Sequence, residues 1–239
     1  MGNRFPTAIG FAWVWLGVAG LQSAGGPPQW SSYTGRMAVT DKLAAVCRGI
    51  FNTGDCARAI ETYQRPLLKG QFRRSGNTLI IPIEGSKSVV LRDYWSDVSH
   101  GRDYSYIEFV PQIGQHLVHV QYYEGQSFWL VDAKSGKRTE ICGVPILAPN
   151  GSRFGCYDAN AEDGSSVEIW RITTSGFRRE WVFDQMDWVP GGLVWLNDNS
   201  IRILKEDFGG RGLGAAIASR QGSVWGWSDQ HGGRPKVDK

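Results

Sequence analysis

The histidines are the first side chains to consider for catalysis or metal binding. The chain has four of them, His100, His116, His119 and His231. His116 and His119 lie three positions apart, so on a β-strand they point to opposite faces and cannot chelate one ion without a bulge. We interpret both as partly exposed strand histidines, and the sequence therefore predicts neither a metal site nor a cofactor.

Serine, glycine and carboxylate patterns add no catalytic motif. Ser152 and Ser223 each follow a glycine but lack the G-x-S-x-G frame of a serine hydrolase. Residues 209–214 are glycine-rich, but without the lysine and the strand-to-helix context of a phosphate loop they predict a flexible connector. Residues 158–164 alternate oxygen ligands, yet the glycine comes one place late for a calcium loop, which favours a polar turn. We assign no catalytic residue.

The segment 93–106 has the strongest functional character. It combines aromatic rings with acids, a histidine and an arginine in what we expect to be a long connection between strands. Such loops carry binding on a rigid β scaffold, and their rings can stack on a sugar or on a partner's side chains. In the alternative interpretation, Tyr94 and Trp95 only cover the edge of the core. The candidate ligand-binding residues are Tyr94, Trp95, His100, Tyr104 and Tyr106.

The N-terminus has the order of a signal peptide. Arg4 precedes an uncharged run at 11–21, and small residues at 23–26 come before Pro27. The run is short for a membrane span, which needs about 20 apolar residues, although an uncleaved anchor is the alternative. We expect residues 1–25 to be a leader and the protein to be periplasmic or secreted, with no membrane span after cleavage.

The four cysteines indicate disulfides if the protein is exported. An even number of cysteines in an oxidising compartment predicts two bonds, for which three connectivities are open. Pairing Cys47 with Cys56 and Cys142 with Cys156 is favoured, because each pair brackets a short segment that contains glycine. Neither pair has the C-x-x-C or histidine spacing that is typical of a zinc site.

Composition and charge indicate a globular domain that does not bind nucleic acid. The chain has 239 residues, 41% of them hydrophobic, and a formal net charge of only +3. The 31 glycines and 11 tryptophans indicate many turns joining aromatic-rich strands. Basic residues pair at Arg73 with Arg74 and at Arg178 with Arg179, and both pairs fall among alternating apolar residues. This pattern predicts solvated strand faces rather than a nucleic-acid interface.

Hydrophobic spacing divides the chain into a helical part and a β part. Apolar residues follow a helical period at 39–51 and again at 55–63, and the first of these is the stronger pattern. We therefore predict a helical cap over residues 26–70, closed by the first disulfide. The period then changes to two, which predicts a β-repeat domain over 71–228 and a disordered tail over 229–239.

The β part contains a recurring unit. Residues 78–93 read as a hairpin, and Pro111, Pro149 and Pro190 each lead the turn after a short strand. Their spacing of about 40 residues is typical of a repeated four-stranded unit. At residues 149–152, a Pro-Asn-Gly-Ser turn, and at the aromatic strand and turn of 170–176, the chain resembles β-propeller blades of the WD-repeat and periplasmic Tol types.

The resemblance extends over about residues 71–207 and implies an all-β fold with propeller-like repeats of four-stranded antiparallel sheets after a small helical segment. At about 40 residues a blade, this span holds three to four units, whereas closed propellers have about 4 to 8. Three arrangements remain open: a small closed ring, an open arc and a β-sandwich. An open arc would leave strand edges free and would favour self-association.

We expect a non-enzymatic binding protein that uses loops of its β scaffold to hold a protein or glycan partner. The alternative is a secreted hydrolase acting on a polysaccharide or peptide, since propeller folds carry both kinds of activity. The two can be distinguished by whether Asp93, Asp97, His100 and Asp103 converge in one deep cleft, as a hydrolase would require.

Overall fold

A computed structural model describes residues 41–50, 52–85, 87–95, 100–123, 125–159, 165–184, 187–207 and 209–229. The predicted leader, most of the tail and most of the polar turn at 158–164 lie outside these residues. Two helices precede fifteen strands in the described part, so the all-β prediction with a small N-terminal helical segment is confirmed. No described helix has the length and the apolar character that a membrane crossing requires.

The two helices form a disulfide-linked pair. They are α1 (Asp41–Val46) and α2 (Thr53–Gln64), and the predicted bond between Cys47 and Cys56 joins them. In the described residues, the helix predicted to be the stronger covers six residues, and Gly49, with a φ of 82°, lies in the turn that follows it. Asn52 begins α2 as its N-cap, accepting the Asp55 backbone N–H at 3.1 Å.

The strands form four antiparallel sheets in chain order. The first sheet contains β1 (Arg73–Ser75), β2 (Thr78–Pro82) and β3 (Ser88–Arg92). The second contains β4 (Arg102–Val110), β5 (Gln115–Tyr122), β6 (Gly125–Asp132) and β7 (Arg138–Ile141). The third contains β8 (Ile146–Leu147), β9 (Arg153–Asp158), β10 (Ser166–Thr173) and β11 (Gly176–Phe183). The fourth contains β12 (Val189–Asn197), β13 (Ser200–Glu206), β14 (Gly212–Gln221) and β15 (Val224–Asp229).

Each sheet is a simple up-and-down meander, as the repeat of hairpins predicts. The three four-stranded sheets begin at residues 102, 146 and 189, which agrees with the predicted repeat of about 40 residues. Some boundaries differ from the prediction. Pro190, predicted to lead a turn after a short strand, lies near the start of β12. Residues 212–214, part of the predicted flexible connector, belong to β14. They extend this strand because they pair with the end of β13, while later residues of β14 pair with both β13 and β15.

Three apolar cores hold consecutive sheets together. Tyr106 and Leu79 belong to the core between the first and second sheets. Phe128 and Phe154 belong to the core that joins the helices to the second and third sheets, and Ile169 belongs to the core between the third and fourth. Because the middle sheets are covered on both faces, β5 and β9 are buried along continuous runs rather than at alternate residues.

A buried ion-pair node fastens α2 to the first two sheets. Arg74 Nε donates to Glu61 Oε1 at 2.7 Å, and Arg74 Nη1 donates to Asp93 Oδ2 at 2.9 Å. Glu61 and Asp93 also accept the backbone N–H groups of Tyr106 and Tyr104, at 2.8 and 3.0 Å. Burial lowers the pKa of Arg74, but the two carboxylates outweigh it and raise the pKa above its usual value.

The node corrects the prediction that both basic pairs lie on solvated strand faces. Arg178 and Arg179 do have exposed side chains, at 67% and 51%, and Arg73 is exposed as well. The prediction is wrong for Arg74, because its side chain is only 9% exposed. Its face of β1 meets α2 rather than solvent, and only the pairing with carboxylates makes a buried guanidinium tolerable.

We expect Arg74→Leu to lower the free energy of unfolding by about 3 kcal/mol or more, because both buried carboxylates lose their nearest cation and keep only the partly exposed Arg58. The neighbouring Arg73→Leu removes the same charge from an exposed position and is the matched control, with an expected change within about 0.5 kcal/mol. Urea denaturation followed by tryptophan fluorescence measures both. Equal losses in the two variants would contradict the role given to the node.

Candidate functional site

A cleft of about 300 Å³ opens where the N-terminus of α2 meets the start of β4 and the end of β5. The two strands are paired there, with Asp103 opposite Gln121 in the register. The lining is mainly polar, with aromatic rings at its side. The lining residues are Asn52, Gly54, Asp55, Arg58, Trp95, Asp103, Gln121, Tyr122 and Tyr123.

The first turn of α2 forms one wall of the cleft. Asn52 caps the helix, and Asp55 stands exposed one turn along, where the positive end of the helix dipole favours a carboxylate. Gly54 lets β5 approach closely, because a Cβ at this position would lie 3.1 Å from Gln121 Oε1. The glycine therefore permits the close contact between α2 and Gln121 at this wall.

The end of β5 forms the opposite wall. Gln121 Nε2 donates to the carbonyl oxygens of Tyr122 and Gly125 at 2.9 Å each, which fixes the amide. Its buried Oε1 has no hydrogen-bond partner among the described residues, so one acceptor is unsatisfied beside the cleft. Tyr122 Oη lies 3.1 Å from Ser127 Oγ, whereas the next ring, Tyr123, is 60% exposed.

Charge in the cleft is dominated by carboxylates. Arg58 is the one guanidinium in the lining, and its Nη2 lies 3.1 Å from Asp93 Oδ2 and 3.8 Å from Asp103 Oδ1. The cation is therefore already engaged by two acids. Asp55 adds a further carboxylate, so the cleft favours ligands that donate hydrogen bonds over ligands that carry negative charge.

Trp95 reaches the cleft because the loop before β4 is pinned at its base. The backbone groups of Tyr94 and Arg102 exchange hydrogen bonds at 2.9 and 2.8 Å. Within this loop the Trp95 ring lies directly on Gly101, where an added Cβ would overlap the ring. The indole is 46% exposed and lines the cleft, so part of its surface is available to a ligand.

The structure brings one of the five predicted ligand-binding residues, Trp95, into the cleft. Tyr94 and His100 are exposed nearby without lining it. Tyr104 and Tyr106 are buried in the core between the first and second sheets, which does not fit their predicted contact with a ligand. The reason is that β4 begins at Arg102, inside the segment predicted to be a long connection. Tyr104 and Tyr106 are therefore alternate residues of a strand, and they face the core.

The four groups whose convergence would indicate a hydrolase do not meet in the cleft as far as the structure describes them. Asp103 lines the cleft and His100 does not. Asp93 accepts hydrogen bonds from Arg74, Arg58 and the backbone N–H of Tyr104, and it does not line the cleft. Asp97 lies outside the described residues.

Most of the lining could not be found from the sequence. Asn52 and Asp55 give a signal, because an asparagine three residues before an aspartate is typical of a helix N-terminus, but this says nothing about a cleft. Arg58, Gln121 and Tyr123 carry no motif at all.

The chain matches no known protein-family model and no curated protein.

The histidines at 116 and 119 point to opposite faces of β5, as predicted, but both are buried rather than partly exposed. His116 Nδ1 lies 3.0 Å from Tyr106 Oη, in the core with the first sheet. His119 Nε2 lies 2.9 Å from Gln126 Oε1 on the other face. Burial, reinforced by the positive charge of Arg58, lowers the pKa of His119 to about 4.

The lowered pKa makes His119 a source of acid sensitivity. Its pKa is 6.5 in the unfolded chain and about 4 in the folded protein, so the unfolded state gains a proton first as the pH falls. The contribution of neutral His119 to stability is therefore present above pH 6.5, and about 3 kcal/mol of it is lost by pH 4. We expect His119→Gln to remove this loss, which is measured as the difference in the free energy of urea unfolding between pH 7 and pH 4. His100→Gln, at an exposed histidine, is the control, and an unchanged pH dependence in His119→Gln would contradict the assignment.

Proposed function

We propose that this protein is an exported, non-enzymatic binding protein that holds a neutral glycan in the cleft beside α2. The observation that carries the proposal is the combination of exposed ring faces, at Trp95 and Tyr123, with hydrogen-bonding side chains in one small cleft. Sugars need both, because their C–H faces pack on aromatic rings while their hydroxyls need directed polar partners.

The charge and size of the cleft favour an uncharged saccharide. Asp55 and Asp103 can accept hydrogen bonds from sugar hydroxyls, and Asn52 can both donate and accept hydrogen bonds. An anionic ligand would meet two carboxylates and a guanidinium already held by Asp93 and Asp103. A volume of about 300 Å³ lies at the lower end of ligand sites, which suits one or two sugar rings at the end of a longer chain.

We further propose that the four sheets are blades of a propeller-like arrangement. The support is that each sheet is a meander and that three cores join consecutive sheets. Each rim of such an arrangement collects turns and strand ends, as the cleft does. We also propose that residues 1–25 direct export to the periplasm or outside the cell. The disulfide between Cys47 and Cys56 supports this, since such bonds persist in oxidising compartments.

We expect neutral oligosaccharides of hexoses or N-acetylhexosamines to bind, in a titration followed by calorimetry. Trp95→Ala removes the stacking face and should weaken binding roughly tenfold or more, equivalent to about 1.4 kcal/mol. Tyr94→Ala is the matched control, because it removes an adjacent exposed ring that does not line the cleft.

The proposal is overturned if none of these saccharides binds, or if Tyr94→Ala weakens binding as much as Trp95→Ala. Release of shorter sugars during the titration, lost in Asp103→Asn, would instead identify the protein as a hydrolase. If the cleft binds a protein partner and none of these saccharides, the cleft is instead a protein–protein interface.

Gly101→Ala tests how the ring is positioned. The new Cβ would overlap the Trp95 indole, and this half-exposed ring can swing away at little cost to folding. We expect saccharide affinity to fall severalfold while the urea midpoint stays within the error of the wild-type value. An unchanged affinity would show that the observed orientation of Trp95 is not the one that binds.

A further inference from the structure

Two cysteines and a glutamate, none of which lines the cleft, come together beside the third sheet. The Sγ atoms of Cys142 and Cys156 and a carboxylate oxygen of Glu168 all lie within 4.8 Å of one another. The disulfide predicted between these cysteines is not formed in this structure, which holds both as thiols. The three side chains meet at the side of the third sheet that faces the second sheet.

Three separate segments bring these side chains together. Cys142 follows the end of β7, Cys156 lies in β9, and Glu168 stands directly opposite Cys156 in β10. Gly143 fixes the first segment against β9, because a Cβ at this position would overlap the backbone carbonyl of Tyr157. The approach of Cys142 to the strand is therefore part of the fold and not an accident of one rotamer.

The carboxylate is oriented by partners of its own. Trp170 Nε1 donates to Glu168 Oε2 at 2.8 Å, and Arg179 Nη1 donates to Oε1 at 2.7 Å. Cys156 Sγ lies 3.8 Å from Glu168 Oε2 and is the third group in contact with the carboxylate. Metal-binding carboxylates are typically held by outer hydrogen bonds of this kind, which fix the direction of the remaining lone pairs.

The charge of the group is compatible with a bound cation. Both cysteines are thiols in this structure, and each would release its proton on binding a metal ion. Two thiolates and the Glu168 carboxylate would then carry three negative charges, of which Arg179 offsets one and a divalent ion offsets two.

We propose that Cys142, Cys156 and Glu168 bind a thiophilic divalent ion of the zinc class. Tetrahedral zinc with sulfur ligands at about 2.3 Å requires an S–S separation of roughly 3.8 Å, so small side-chain rotations within the present group suffice. The carboxylate favours zinc over monovalent copper, which prefers sulfur alone. A water molecule completes the fourth position. The ion links the segment after β7 to β9 and β10.

Sequence spacing hides this site. Cys142 and Cys156 are not in a C-x-x-C pair, and no histidine stands near them in the chain, which is why the sequence predicts no metal. The site is independent of the proposed glycan cleft. Failure of either proposal leaves the other untouched.

The test uses the full exported chain, treated with a mild reductant and a chelator and then titrated with Zn²⁺ under native mass spectrometry. We expect one Zn²⁺ per chain, and protection of Cys142 and Cys156 from alkylation when Zn²⁺ is present. Cys142→Ser should lower the affinity at least a hundredfold, and Glu168→Gln at least tenfold. Co²⁺ in place of Zn²⁺ should give the absorption band of thiolate-to-metal charge transfer.

Glu140→Gln is the matched control, because it neutralises an exposed carboxylate on β7 and should leave Zn²⁺ affinity unchanged. Alkylation protection in the unaltered protein keeps the test valid if a cysteine variant fails to fold. Two outcomes overturn the proposal: no Zn²⁺ bound to the reduced protein, or a Cys142–Cys156 disulfide that persists in the exported protein with Zn²⁺ supplied.

Discussion

The buried pairing of Arg74 with Glu61 and Asp93 is the interaction on which the rest of the site depends. It joins α2 to β1, to the residue after β3 and to the backbone of β4 at one point. Buried charges tolerate little displacement, since a separated pair leaves ions in a poorly solvating interior. The node therefore holds the helix on the sheets in one orientation.

The cleft is a consequence of that orientation. With α2 fixed at Glu61, its first turn faces the paired ends of β4 and β5, and Arg58 lies between Asp93 in the node and Asp103 in the cleft. The same residue also contributes to the low pKa of His119 beneath the site. The polar character of the cleft and the stability of the helix attachment thus share one set of charges.

Beyond the node, the sheets pack in series, and each junction has its own polar fastening. Glu180 of the third sheet accepts from Trp225 of the fourth sheet at 3.3 Å, and from Arg153 within its own sheet at 2.7 Å. Burial alone would raise the pKa of Glu180, but these hydrogen bonds lower it, so the charge is kept. Where the second and third sheets meet, the corresponding polar group is that of Cys142, Cys156 and Glu168.

Short-range signals in the amino-acid sequence account for the hairpin of β2 and β3, the four-stranded repeats and the bond between Cys47 and Cys56, although the same reasoning predicted a bond between Cys142 and Cys156 that is not formed. These follow from side-chain alternation, turn residues and short separations, which act within a few residues. The sequence did not reveal why Arg74 differs from Arg73, or that Trp95 rather than Tyr104 reaches the cleft. Both depend on tertiary packing, because burial and ion pairing follow from which distant elements meet, and that is set by how whole sheets and helices pack.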